Sequence, residues 1–322
     1  MWERIGVFGI RMETQNMSRR LNIEFGRAIC YSGYRDGQNP RTETFPSYEE
    51  VKEDLLILSS NWKYLRLYDC SRHADLVLDV IHKEALDFKL MLGVDMAAEV
   101  SNHQCPWGAD FDDETLAANA QKNSAEVDRL IVLANQYPDT IFSVSVGNEA
   151  SVEWTDHMVP VENLIAYVRR IKQSVQQPVT FCENYLPWLD KLRDLVEEVD
   201  FISIHTYPVW EYKSIQEGLS YTIDNYNAVA QAYPDVQIVI TEAGWATASN
   251  GHGIDVDKVN EVYQKQYFQQ LMDWAEQQQV LVYYFEAFDE NWKGSCDPFE
   301  PEKHWGLYKA DRTPKLAMNN NI

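Results

Sequence analysis

The chain has 322 residues, 45% of them hydrophobic, enough for one large packed domain and far from a disordered composition. With 50 acidic against 28 basic residues the formal net charge is −22, so the surface repels phosphate backbones and nucleic acid is not expected as a partner. There is no stretch of 18 apolar residues, hence no expected membrane-spanning helix.

Residues 1–22 read as a polar N-terminal extension. Its short apolar run is charged on both sides, which makes a poor secretory signal. The compartment therefore stays open: the protein remains inside, the sequence is a mature or engineered form, or Met17 is the true start. Residues 23–322 read as one domain. Eight short apolar runs follow, at 25–30, 64–68, 88–94, 141–146, 179–182, 201–205, 236–241 and 280–285.

Segments with helical period lie between them. Ser47 and Glu50 form a capping box ahead of a stripe of Val51, Leu55 and Leu58. Further helices are predicted over 74–85, 113–136, 161–176, 189–198, 215–232 and 256–278, and a poorly marked one near 314–318. Strand and helix thus alternate, which predicts a parallel sheet with right-handed crossovers. Eight runs favour an α/β fold closed as a single (β/α)₈ TIM barrel over an open sheet. The glycine-rich phosphate fingerprint of dinucleotide folds is absent. Residues 99–113 and 286–304 are irregular and read as loops over a site.

Two glutamates stand at run ends. Glu149 follows Ser143–Asn148, and Glu242 follows Ile238–Thr241. The carboxyl ends of barrel strands are where such folds keep their chemistry. The two are 93 positions apart, which is three βα units of about 31 residues each, so they should close the fourth and seventh strands. A carboxylate pair at one barrel mouth is the minimum equipment for hydrolysing a glycosidic bond. A retaining enzyme holds the two groups about 5–5.5 Å apart and an inverting one about 6.5–9.5 Å. Asn148 can donate to a sugar hydroxyl. Tyr207, at the end of the sixth run, can donate to the carboxylate of the neighbouring seventh strand and keep it ionised, or else be a core tyrosine.

Cys30, Cys70, Cys105, Cys182 and Cys296 are odd in number and widely spaced, against a disulfide framework, though one bridge stays open. No paired Cys-x-x-Cys spacing suggests a metal site. The 18 tyrosines and 10 tryptophans suit sugar rings and ordinary cores alike.

The motifs then align in order. Gly147-Asn148-Glu149-Ala150, Thr241-Glu242-Ala243-Gly244-Trp245, the run from Phe285 to Lys293, and Glu302-Lys303-His304-Trp305-Gly306-Leu307 resemble glycoside hydrolase family 17. Ile29-Cys30-Tyr31-Ser32-Gly33 and Leu65-Arg66-Leu67-Tyr68-Asp69 match its first two strands, so the resemblance covers about residues 25–315. It implies a retaining β-1,3-glucan hydrolase or transglycosylase with Glu149 as acid/base and Glu242 as nucleophile, needing no cofactor or metal.

The resemblance further implies that Tyr31, Arg66 and Tyr68 line the glycone subsite, with strand-end packing as the alternative. Glu286, Glu290, Lys293 and Glu302 would form a charged cluster beside the acid/base that also holds sugar hydroxyls; a solvated ion-pair network is the alternative. Trp292, Trp245, Trp210, Trp188 and Trp154 follow strand ends and are candidate sugar platforms. The long first and third loops, with Arg35, Asp36, Arg41 and Cys105-Pro106-Trp107-Gly108, depart from the pattern and leave the ends of the groove open. The expected partner is a laminarin-type β-1,3-glucan, bound by a monomer. Rival readings are a β-1,3-glucanosyltransferase, a glucan-binding protein without turnover, and a barrel glycosidase for mannan or cellulose.

Overall fold

A computed structural model describes residue 21 and residues 24–319. The expected extension over 1–22, with Met17, lies outside the described residues apart from Leu21, whose buried side chain joins the core and whose N–H donates to Gln237 Oε1.

Eight parallel strands close into a barrel in sequence order: β1 (Ala28–Cys30), β2 (Tyr64–Leu67), β3 (Lys89–Val94), β4 (Ile141–Asn148), β5 (Val179–Asn184), β6 (Ile202–His205), β7 (Ile238–Ala243) and β8 (Val282–Tyr284). β1 pairs with both β2 and β8, so no edge remains. The expected (β/α)₈ barrel is the observed fold. All strands are buried almost throughout, as a parallel sheet covered by helices requires.

The helices are α1 (Tyr48–Ser59), α2 (Arg72–Lys83), α3 (Asp113–Gln136), α4 (Val161–Ser174), α5 (Tyr185–Leu189), α6 (Arg193–Val196), α7 (Ile215–Ala232) and α8 (Glu261–Gln278). Ser47 and Glu50 make the expected capping box on α1.

Three helical expectations need correction. The helix expected over 189–198 is the two short pieces α5 and α6, because Trp188 is drawn into the core, where its Nε1 donates to the Ser203 carbonyl at 2.9 Å. The helix expected to start at 256 begins only at Glu261, where the Asn260 side chain accepts from the Tyr263 N–H and caps it. No α-helix follows β8 among the described residues. There the chain forms a 3₁₀ turn at Pro301–Lys303 and pairs Tyr308 with Pro314.

Strands β4, β5 and β7 run two residues past the ends of their apolar runs. The added residues, Gly147-Asn148, Glu183-Asn184 and Glu242-Ala243, bring polar side chains to the barrel mouth. The expected loops over the site do lie outside helices and strands, at 99–112 and 286–300.

Candidate active site

Glu242 is the sixth-to-seventh strand junction's focus. It pairs with His205 of β6 just past a register shift, is 5% exposed, and is surrounded by donors. Arg66 Nη1 donates to Oε1 at 2.5 Å and Tyr68 OH to the same oxygen at 3.0 Å. Tyr207 OH donates to Oε2 at 2.5 Å. Burial alone would raise the Glu242 carboxyl, but His205, Arg66 and the Tyr207 bond outweigh it and hold it below the usual range. An anion is thus kept in a nearly dry pocket. Gly244 leaves room for this turn: a Cβ there would stand 2.1 Å from the Phe285 carbonyl oxygen.

Glu149 leaves β4 through an irregular end. The β4–β5 register shifts between Ser145 and Asn148, Gly147 has φ +82°, and Glu149 itself has φ +47°. Left-handed backbone at a non-glycine residue costs of order 1–3 kcal/mol and persists only when neighbours over-determine it. Here the Glu149 N–H donates to the Cys182 carbonyl at 2.9 Å. The side chain remains a quarter exposed, at 25%, and so is more open to solvent than the nearly dry Glu242.

His205 links the two. Its Nδ1 is 2.9 Å from Glu149 Oε1 and 3.6 Å from Glu242 Oε2, so this nitrogen carries a proton. Burial would lower the ring, but the Glu242 carboxylate and the bonds to Cys182 and Glu149 raise it to about 10. One oxygen from each glutamate and a His205 ring nitrogen lie within 4.8 Å of one another. These are donor types a divalent ion accepts, but the Arg66 guanidinium already stands as the cation against Glu242 and would repel one.

Asn148 Oδ1 accepts from Arg66 Nη2 at 2.5 Å, which leaves its amide N–H groups as the chemistry it can offer a sugar hydroxyl. Arg66, 1% exposed, therefore orients two cleft residues at once rather than reaching a sugar itself.

At the end of β8, Lys293 Nζ lies 2.6 Å from Glu286 and 2.8 Å from Glu290. Ser32 Oγ and Trp292 Nε1 both donate to Glu290 Oε1. This network is buried rather than solvated, with Glu286 and Glu290 at most 1% exposed. Burial pushes the Glu286 carboxyl well up despite Lys293. Glu302, half-buried, is pushed up to about 7 by burial, with Lys293 opposing and Glu149 and Glu242 adding to it.

Two expected subsite residues are elsewhere. Tyr31 is 1% exposed and its hydroxyl donates to Asp54 of α1 at 3.1 Å, so it packs the strand against the helix layer. Trp245 is fully buried against Tyr267, its Nε1 bonded to the Lys258 carbonyl, and offers no face to a sugar. Both are large apolar side chains following a strand, and packing claimed them. Trp188 is buried likewise. Trp292 is half-buried with the Arg41 guanidinium 6.0 Å from its ring centre, and Trp154 and Trp107 are exposed at 41% and 66%.

Two site residues were not singled out from the sequence. His205 is one. The other is Glu183, buried beneath Glu149, accepting from Ser151 N–H at 2.9 Å, Ser151 Oγ at 2.6 Å and Asn184 N–H at 2.7 Å. Burial first, then Glu149, pushes Glu183 up to about 7. Both end apolar runs, the same signal that marked Glu149 and Glu242.

Comparison with known proteins bears on the fold and the family. The putative glucan endo-1,3-beta-glucosidase btgC of Aspergillus niger is 26% identical over 303 residues, spanning 85% of this chain and 40% of that protein's length. An endo-laminarinase from Formosa Hel1_33_131 superposes with a TM-score of 0.78 at 26% identity, covering 91% of this chain and 85% of that one. The glycoside hydrolase family 17 β-1,3-glucanosyltransferase of Rhizomucor miehei shares the fold, with a TM-score of 0.71 at 20% identity over 92% of this chain and 97% of that one. The family model described as the BtgE/BtgC glycoside hydrolase domain matches residues 28–306, and the chain belongs to that family.

Proposed function

We propose that the chain is a retaining glycoside hydrolase that cleaves β-1,3-glucosidic bonds of laminarin-type glucan, with catalysis carried by the barrel over residues 23–322. The observation that carries this reading is the approach of Glu149 and Glu242 oxygens to within 4.8 Å. A separation of at most 4.8 Å between those oxygens lies on the side of the about 5–5.5 Å of retaining enzymes and short of the about 6.5–9.5 Å of inverting ones.

In the first step a Glu242 oxygen attacks the anomeric carbon and the bond to the leaving oxygen breaks. Glu149 gives its proton to that oxygen. In the second, water attacks the same carbon, Glu149 takes the water proton, and the ester to Glu242 breaks. Arg66, Tyr68 and Tyr207 hold the attacking carboxylate ionised and aimed, while Asn148 amide hydrogens face the sugar as it flattens. Lys293, Glu290 and Glu302 set the field around the acid/base.

The β-1,3-glucan assignment draws on the printed activities of the relatives. The decisive measurement is the anomeric form of the first product released from laminari-oligosaccharides, read by NMR. The β-anomer is expected, and a first-formed α-anomer overturns retention.

A glycosyl–Glu242 ester can also pass its sugar to another sugar. Exposed Trp107 and Trp154, on the loops after β3 and β4 at the carboxyl ends of the strands, are the candidates to hold such an acceptor. Products longer than the starting oligosaccharide would mark transfer.

A further inference from the structure

We infer that His157 is a positioning residue, an imidazolium clamp that fixes the Asn148 carbonyl and thereby the backbone carrying Glu149; its catalytic consequence rests on the reading of Glu149 as acid/base. His157 lies in the loop between β4 and α4, eight residues after Glu149. Its Nδ1 is 2.7 Å from Asp156 Oδ1 and its Nε2 is 2.8 Å from the Asn148 carbonyl oxygen. A carboxylate and a carbonyl only accept, so each ring nitrogen must bring its own hydrogen. A neutral ring has one N–H and one lone pair, and would turn that lone pair on one of the two oxygens. The geometry therefore selects the charged ring.

The charged groups around it agree. Asp156 sits beside it on the loop, with Arg41 acting on Asp156, and Asp95 faces it from the end of β3. Burial opposes the charge, but Asp156, the Asn148 carbonyl and Asp95 hold the ring up to about 9. The Thr155 hydroxyl, 3.1 Å from Nδ1, completes the nest and accepts the backbone N–H of His157 at 3.3 Å.

The clamp acts where the fold is least regular. Asn148 follows a glycine at φ +82°, precedes Glu149 at φ +47°, and lies at a register shift. Arg66 holds its side chain, and His157 holds its carbonyl. Without the His157 bond the peptide between Asn148 and Glu149 is held only through the Glu149 N–H on the Cys182 carbonyl, so its carbonyl end can swing about that bond and the Glu149 carboxyl shifts with it. Misplacement of a catalytic group by about 1 Å costs about a hundredfold in rate.

The test has three arms. In the wild-type protein, ¹⁵N NMR of the His157 ring should show both nitrogens protonated at pH 7; a neutral ring there overturns the clamp whatever the substrate proves to be. His157→Gln donates from one amide group only and should lower kcat about tenfold, with KM for laminari-oligosaccharides changed less than about twofold. Asp156→Asn, at an exposed site, removes the carboxylate hydrogen-bonded to Nδ1, so the alkaline limb of the kcat profile should move at least about one pH unit lower. Wild-type kcat in His157→Gln, an equal fall at every pH in proportion to lost folded protein, or an unmoved limb in Asp156→Asn each overturns the proposal. Wild-type protein that leaves laminarin intact defeats the substrate reading instead, and the ring spectrum still decides the clamp.

Discussion

Arg66, rooted on the second strand, reaches across the inside of the barrel to Glu242 on the seventh and donates Nη1–H to its Oε1 at 2.5 Å. Both groups are nearly dry, with side-chain exposures of 1% and 6%. A buried pair of this kind adds little net stability by itself, but removing one partner strands a charge and costs about 3–5 kcal/mol. Arg66→Met should therefore unfold at clearly lower urea concentration and lose nearly all turnover. Arg66→Lys keeps the charge but cannot bond Glu242 and Asn148 together, so stability should recover in part while kcat stays depressed. Equal kcat in Arg66→Lys and wild type would show that the fork geometry is irrelevant.

Glu149 and Glu242 should respond differently to amide substitution. Glu149→Gln changes a partly exposed carboxyl and should lower kcat by about 10²–10⁴ with little change in Tm. Glu242→Gln removes the attacking oxygen and also leaves Arg66 without its counter-charge, so it should abolish turnover and lower Tm as well. Activity assays paired with calorimetry separate the two, and wild-type turnover in either variant eliminates the assignment of the pair.

Tyr207 and Tyr68 each give one hydroxyl to the Glu242 carboxylate. Hydrogen bonds to charged groups are worth about 1.5–3 kcal/mol, so Tyr207→Phe should reduce kcat/KM by about tenfold to a hundredfold. Tyr68→Phe should cost less, because its oxygen keeps Arg66 as a partner. The kinetics of the two variants and their double mutant read this directly.

Much of this was legible in the residues. The barrel followed from eight apolar runs alternating with helical period, and the glutamates from their places at run ends. Apolarity stops short of the chemistry, however: the strands continue through Asn148, Asn184 and Ala243, and the polar residues that complete them interrupt the pattern that marks a strand. Glu183 was hidden for that reason, whereas His205 lay inside its run, where a histidine reads as ordinary strand-end packing. Tyr31 and Trp245 misled for the opposite reason. Aromatic rings after a strand serve a sugar or a core equally well, and only the neighbours, Asp54 and Tyr267, decide which. Long-range pairs such as Arg66 with Asn148 need the barrel closed before they exist.

Exposed Trp154 gives a test of substrate length. Its backbone is held outward, since the buried Asn102 amide donates to the carbonyls of Glu153 and Thr155 on either side of it. A sugar ring laid on one indole face removes apolar surface from water at about 25 cal/mol per Å², on the order of 1 kcal/mol. Trp154→Ala should raise KM for long laminari-oligosaccharides by about three- to tenfold while leaving the shortest cleavable substrate unaffected. A uniform change at all chain lengths would remove Trp154 from the cleft.

Glu183 sets a pH signature on stability. Its folded-state carboxyl is raised from the ordinary 4.5 to about 7, chiefly by burial. The folded chain thus keeps a proton that the unfolded chain releases between those values. The stabilisation is complete below pH 4.5 and is lost as pH rises through 7, by on the order of 3 kcal/mol. Glu302, raised to about 7 as well, adds to the same window. Glu242, held low, works in the other direction and loses its contribution only as pH falls below 4.5. Glu183→Gln removes one proton from this balance while its side-chain oxygen can still accept from Ser151. The Tm difference between variant and wild type should therefore shift in favour of the variant from pH 4.5 to pH 8. A difference that stays flat across this range means Glu183 is ionised in its pocket throughout, and that the Ser151 and Asn184 donors outweigh its burial.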